Sequence, residues 1–258
     1  MRKLKNALPP VLLVLSLLAI IQILVDTGAV KRYVLPSPTD VASAFVLNFN
    51  QLISHSASTL SIAMLGFIMS IILAFILAIL IDTFEPLRRA VYPLVIVSQT
   101  IPIMAVTPVI VLLLGFGVLP KIAVIVLVCF FPVCISLIEG FEVVDRDVIR
   151  LMQTMGAGKM QIMRHVKLPS SVSGIFSGLK ITATYSIMAA VIAEWLGAET
   201  GIGVYMMRVK RGYSYDRMFA AIIMIIILSV LVFKLVQVIQ YAVLVKTGAK
   251  ERISNQNE

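Results

Sequence analysis

Long apolar runs separated by short polar stretches dominate the chain. Six stand out, at about 9–26, 59–82, 91–116, 121–141, 174–196 and 218–243. Each approaches or exceeds the ~20 residues an α-helix needs to cross a bilayer. The pattern predicts an all-α polytopic membrane protein in which residues 1–258 form a single domain of six transmembrane helices. The third run carries Pro93, Pro102 and Pro108 and is expected to be broken or kinked. Such a break is tolerated where neighbours or a cavity satisfy the freed backbone groups; the alternative is a lipid-facing kink with no role.

The first run follows Arg2-Lys3-Leu4-Lys5 and so resembles a signal peptide. It lacks a small-x-small cleavage site and ends at Gln22 and Asp26, which favours an uncleaved first helix. Between the fourth and fifth runs, residues 142–173 form a long amphipathic stretch. Val148, Met152 and Met155 recur at helical spacing, Gly156 and Gly158 interrupt, and Leu168-Pro169 closes the segment. This predicts two short helices with a glycine bend. Methionine suits a surface that adapts to a partner. The same residues also suit a helix lying in the membrane interface.

Composition strengthens the membrane reading. The chain is 60% hydrophobic and 14% charged, against ~25% charged in soluble domains, and its mean hydropathy is +1.02. The net charge of +9 would suggest nucleic acid in a soluble protein, but no basic recognition helix or motif is present. Lysines and arginines instead flank the runs. The side holding both chain ends, Arg88, Arg89, Arg146, Arg150, Lys159, Arg164 and Lys167 carries 13, and the other side 7. That bias places both termini in the cytoplasm, with Arg208–Arg217 as the opposing cluster. Cys129 and Cys134 lie within an apolar run without metal-ligand spacing and read as small packing residues.

Candidate chemistry is sparse. The stretch Thr154-Met-Gly-Ala-Gly-Lys-Met160 invites a phosphate-loop reading, which requires G-x-x-x-x-G-K-[ST] between a strand and a helix. The position for the first glycine holds Gln153, the hydroxyl position holds Met160, and the preceding segment has helical period. There is no H-E-x-x-H and no G-x-S-x-G, and the only histidines are His55 and His165. No enzymatic site is expected in this chain.

The same stretch carries a resemblance. Gly156-x9-Val166-x-Leu168-Pro169 is similar to the cytoplasmic signature of binding-protein-dependent ABC importer permeases, E-A-A-x3-G-x9-I-x-L-P. Glycine, leucine and proline match, and valine replaces isoleucine. The E-A-A positions hold Arg150, Leu151 and Met152. Residues 35–38 (LPSP), His55-x3-Thr59-Leu60, Gly66-Phe67, residues 99–117 and residues 193–206 resemble further motifs, in order. The last two are similar to the nitrate/sulfonate/taurine branch. Glu194-Trp195 with residues 206–220 most resembles permeases for pyrimidine precursors of thiamine.

The resemblance implies a type I ABC importer permease fold in a bacterial plasma (inner) membrane, working as a homodimer. It implies ATPase subunits inside and a solute-binding protein outside. No cofactor belongs to this chain; ATP and magnesium would sit on the partner ATPase. Met152, Met155, Gly156, Ala157, Met160, Leu168 and Pro169 become the expected ATPase-coupling residues. Gln99, Glu194 and Trp195 become candidates for the substrate path. Each of these has a structural alternative: an inter-helix hydrogen bond for Gln99, and interfacial placement for the Glu194-Trp195 pair. The expected cargo is a thiamine-precursor pyrimidine, with nitrate/sulfonate/taurine-type solutes as the alternative. An ion-coupled secondary transporter would need acidic relays or a second broken helix in the later half, and residues 140–258 show no such break.

Overall fold

Each apolar run becomes helical, the third as two helices, because lipid offers backbone polar groups no partner outside the chain. A computed structural model describes residues 2–246, with side chains from 8 to 245. Lys250, Arg252 and the extreme ends lie outside the described residues. Eleven α-helices follow in order: α1 (Arg2–Asp26), α2 (Pro38–Leu47), α3 (Phe49–Thr83), α4 (Glu85–Ser98), α5 (Ile103–Leu114), α6 (Val118–Glu142), α7 (Arg146–Thr154), α8 (Lys159–Ile162), α9 (Leu168–Glu194), α10 (Ile202–Arg211) and α11 (Tyr215–Lys246). A π-helical turn, Met163–Lys167, joins α8 to α9. Five helical segments are long and apolar enough to cross a membrane, and α4 with α5 makes a sixth, bent by 105°.

Helices α3, α6, α9 and α11 form the core around Phe67, Ile125, Ile187 and Val232. Helices in lipid gain little from apolar burial alone, so close backbone approach at small residues matters. Gly66 lies under Ile125, and Gly178 lies against Ser136; a Cβ at either glycine would collide with that side chain. Cys129 and Cys134 are fully buried in these contacts. By contrast, most of the described apolar residues of α1 are exposed, Val25 being buried. It is tied at one end, where the Gln22 side-chain carbonyl accepts from the Thr39 amide at 3.2 Å.

The break in the third span falls at residues 99–102. The amides of Gln99, Thr100 and Ile101 turn back to the carbonyls of Ile96, Val97 and Ser98, at 3.0–3.3 Å. Pro102, which has no amide to satisfy, precedes α5. The unwound turn thus satisfies its own backbone amides.

Two helices outside the apolar runs, α2 and α10, were not expected. Helix α2 starts on a capping box: Ser37 Oγ accepts from the Asp40 amide at 3.1 Å, Asp40 accepts from the Ser37 amide at 3.3 Å, and Pro38 takes the first turn. The 142–173 stretch differs from expectation in one respect. Leu168-Pro169 does not close it; residues 159–194 run as one continuous span. Pro169 lacks an amide, and its ring would crowd the carbonyl four residues earlier. The π-helical turn just before it relieves that conflict, and the Leu168 amide reaches five residues back to Met163.

Candidate functional site

Helix α7 begins where Asp145 Oδ1 accepts from the Asp147 amide at 2.9 Å. It ends in a Schellman turn: the Ala157 amide bonds the Met152 carbonyl at 2.9 Å, and the Gly156 amide bonds Gln153 at 3.0 Å. Gly156 has φ +81°, the left-handed position this turn demands. Met152, Met155, Gly156, Ala157, Gln161 and His165 line an open groove of about 410 Å³. Met155 is 75% exposed and Met160 66%, so two large apolar side chains stand free at this end of the bundle.

This surface is not loosely attached. Lys159 Nζ donates to the Thr83 carbonyl, one of the orphan carbonyls at the end of α3, at 2.9 Å. Lys167 Nζ bridges both oxygens of Asp82 at 2.6 and 2.8 Å. Arg88 at the start of α4 pairs with Glu142 at the end of α6. Leu168 and Pro169 lie apart from the groove and line an apolar cavity between α3, α6 and α9.

At the opposite end, Glu194 is 1% exposed. Its Oε1 accepts from Thr59 Oγ1 and its Oε2 from the Gly203 amide, both at 2.8 Å. Thr59 Oγ1 accepts in turn from the Ile202 amide at 2.8 Å, and His55 Nδ1 from the Gly201 amide at 3.2 Å. A Cβ on Gly201 would strike the Glu194 carboxylate. The start of α10 is thereby clamped to α3 and to the end of α9. Lys121, near the start of α6, is also buried. Trp195 is half-buried, and its indole N–H has no hydrogen-bond partner among the described residues. Tyr205, outside the spans, has its hydroxyl pKa raised by burial.

Between the two ends, Gln99 lies on the unwound turn of the third span beside a cavity of about 220 Å³, facing Tyr185 and Met188 of α9. The structure therefore separates the sequence-derived residues into four places: the 152–160 surface, the apolar cavity holding Leu168 and Pro169, the Glu194 clamp and the Gln99 cavity. Sequence reasoning missed Asp82, Lys167 as its partner, and Tyr185. The i, i+4 spacing of His55 and Thr59 placed both on one helix face, but nothing local linked them to residues 194–203.

Residues 66–244 match the family described as binding-protein-dependent transport system inner membrane component. The chain is 34% identical over 234 residues to the formylaminopyrimidine transport permease protein ThiX of Halalkalibacterium halodurans, covering 90% of this chain and 93% of that relative. It is 26% identical over 226 residues to the putative aliphatic sulfonates transport permease protein SsuC of Bacillus subtilis, covering 87% and 82%. Its fold matches the inward-facing MetNI methionine ABC transporter at TM-score 0.67 and 20% identity, over 76% of this chain and 97% of that one. The chain belongs to the binding-protein-dependent permease family, and is a multi-pass inner-membrane transport subunit of an ABC importer whose family implies ATPase and solute-binding partners.

Proposed function

We propose that this permease moves a pyrimidine of the thiamine-precursor class into the cytoplasm as a homodimer, with ATPase subunits docked at residues 152–160. The end carrying residues 82–88 and 142–168 faces the cytoplasm in this reading, as do both termini, in accord with the basic bias. The substrate choice draws its support from the 34% identity to a formylaminopyrimidine permease.

One observation carries the coupling assignment: the segment bearing exposed Met155 and Met160 is tied to α3 by Lys159–Thr83 and Lys167–Asp82, and from Lys159 onward it runs unbroken into α9. ATP and magnesium belong to the partner. When the ATPases close, they favour one of two helix packings through differential contacts at this surface. The lysine ties pass the displacement to α3, and the continuous helix passes it to α9, beside the broken third span. Glu194 acts here as a positioning residue for the outer turn, since both of its oxygens are engaged by the protein.

A second reading, a nitrate/sulfonate/taurine-type cargo, has the 26% identical sulfonate relative in its favour. The two separate in proteoliposomes holding the permease, its ATPase and its binding protein. Labelled formylaminopyrimidine should enter with ATP and resist competition by excess taurine. Uptake of taurine alone would establish the second reading instead.

A further inference from the structure

The turn that breaks the third span stands opposite a polar aromatic residue with no role assigned so far. Ser98, Gln99, Phe131, Tyr185 and Met188 contribute to the wall of the 220 Å³ cavity. That volume is below the ~300–1,000 Å³ typical of pockets for drug-sized ligands and suits a single small ring. The Ser98 hydroxyl is committed to the Val95 carbonyl at 2.6 Å, and the neighbouring Thr100 hydroxyl to Val97 at 2.7 Å. The Gln99 amide and the Tyr185 hydroxyl form no side-chain hydrogen bond among the described residues. Two uncommitted polar groups therefore face one cavity, one from the broken third span and one from α9, a helix that the coupling surface would move. Among the described residues, no Asp, Glu, Lys, Arg or His lines it.

We infer that Gln99 and Tyr185 form a transit subsite for an uncharged, planar nitrogen heterocycle, and that this subsite discriminates against anions. The inference rests on the reading of this chain as a pyrimidine permease and names the residues that act on the cargo. A primary amide offers a donor and an acceptor side by side, which complements the ring nitrogen and exocyclic amine of an aminopyrimidine. The Tyr185 ring supplies a face for stacking, and Met188 and Phe131 give an adaptable apolar wall. A sulfonate or nitrate would meet no countercharge there, and an unpaired charge within a membrane span is costly. Discrimination comes from that absent partner as much as from the contacts present. Passage also needs a site weak enough to release its occupant, which one amide and one ring provide.

The test uses the complete transporter in proteoliposomes, with labelled formylaminopyrimidine on saturating binding protein, so that delivery does not limit the rate. Tyr185→Ala and Gln99→Ala should each lower initial uptake about tenfold, the scale of losing one stacked base. Tyr185→Phe should keep more than half the rate. Co-purification of the ATPase with each variant checks assembly. Undiminished uptake in both alanine variants, beside normal wild-type uptake, would overturn the subsite and leave the pyrimidine function standing. A wild-type complex that imports taurine and no pyrimidine would overturn the function itself.

Discussion

Lys167 bridges both carboxylate oxygens of Asp82, and the two side chains are only 18% and 16% exposed. One residue lies at the end of the second span; the other lies in the π-helical turn that leads from the 152–160 surface into α9. With Lys159–Thr83, the pair is one of two polar ties from this segment to α3.

Removing one partner leaves a largely buried charge without its mate, which costs more than an exposed pair is worth. Lys167→Met and Asp82→Asn should each lower ATP-driven uptake while ATP hydrolysis by the complex continues. The exchanged pair, Lys167→Asp with Asp82→Lys, should recover part of the loss. A double-mutant cycle on thermal stability should return a coupling of about 0.5–3 kcal/mol. Additive effects in that cycle would show that the two residues do not act together.

Gly156 has open space where a side chain would go, yet its φ is +81°. Substitution therefore acts through backbone strain, about 1–2 kcal/mol for an ordinary L residue, and through what protrudes onto the docking face. Gly156→Val should insert normally, accumulate to wild-type levels and import poorly. Gly156→Asn should do better, because asparagine tolerates the left-handed region. Equal import by the valine variant and the wild type, measured at matched membrane levels, would remove the turn from the coupling route.

At the Glu194 clamp, the Thr59 hydroxyl has a second acceptor in the His55 carbonyl at 3.2 Å. The Gly203 amide bonds only the Glu194 carboxylate. Glu194→Ala thus leaves a buried amide unsatisfied and should cost about 1–3 kcal/mol in detergent thermal melts. Glu194→Gln retains one acceptor and should cost less. Gly201→Ala places a methyl on the Glu194 carboxylate and strains a φ of +128°. It should cost less in the Glu194→Ala background than in the wild type, so the two losses should not add. A melt of Glu194→Ala matching the wild type would refute the clamp.

Much of the architecture was legible because lipid imposes a simple code. Apolar length marked the spans, and Pro93, Pro102 and Pro108 marked the one that breaks. Gly156 marked its turn because only a left-handed position closes a Schellman motif. What stayed hidden was pairing across distance. Thr59 meets Glu194 across 135 residues, and Lys167 meets Asp82 across 85; neither spacing leaves a local signal. Tyr185 was equally silent, since a tyrosine within an apolar run reads as packing until the unwound turn is seen opposite it. Helix α2 had a readable signal in Ser37-Pro38-Thr39-Asp40, but its short apolar content fell below what marks a span. Pro169 misled because the π-helical turn that accommodates it has no sequence signature of its own.

The central claim, that residues 152–160 receive the ATPase, is tested most directly by site-directed crosslinking in assembled membranes. Both native cysteines are fully buried, so thiols introduced at Met155 or Met160 report with little background. A thiol-anchored photocrosslinker at either position should capture the ATPase subunit, and one at Tyr213, 78% exposed at the opposite end, should not. Capture of the ATPase from Tyr213 and not from Met155 or Met160 would contradict the account.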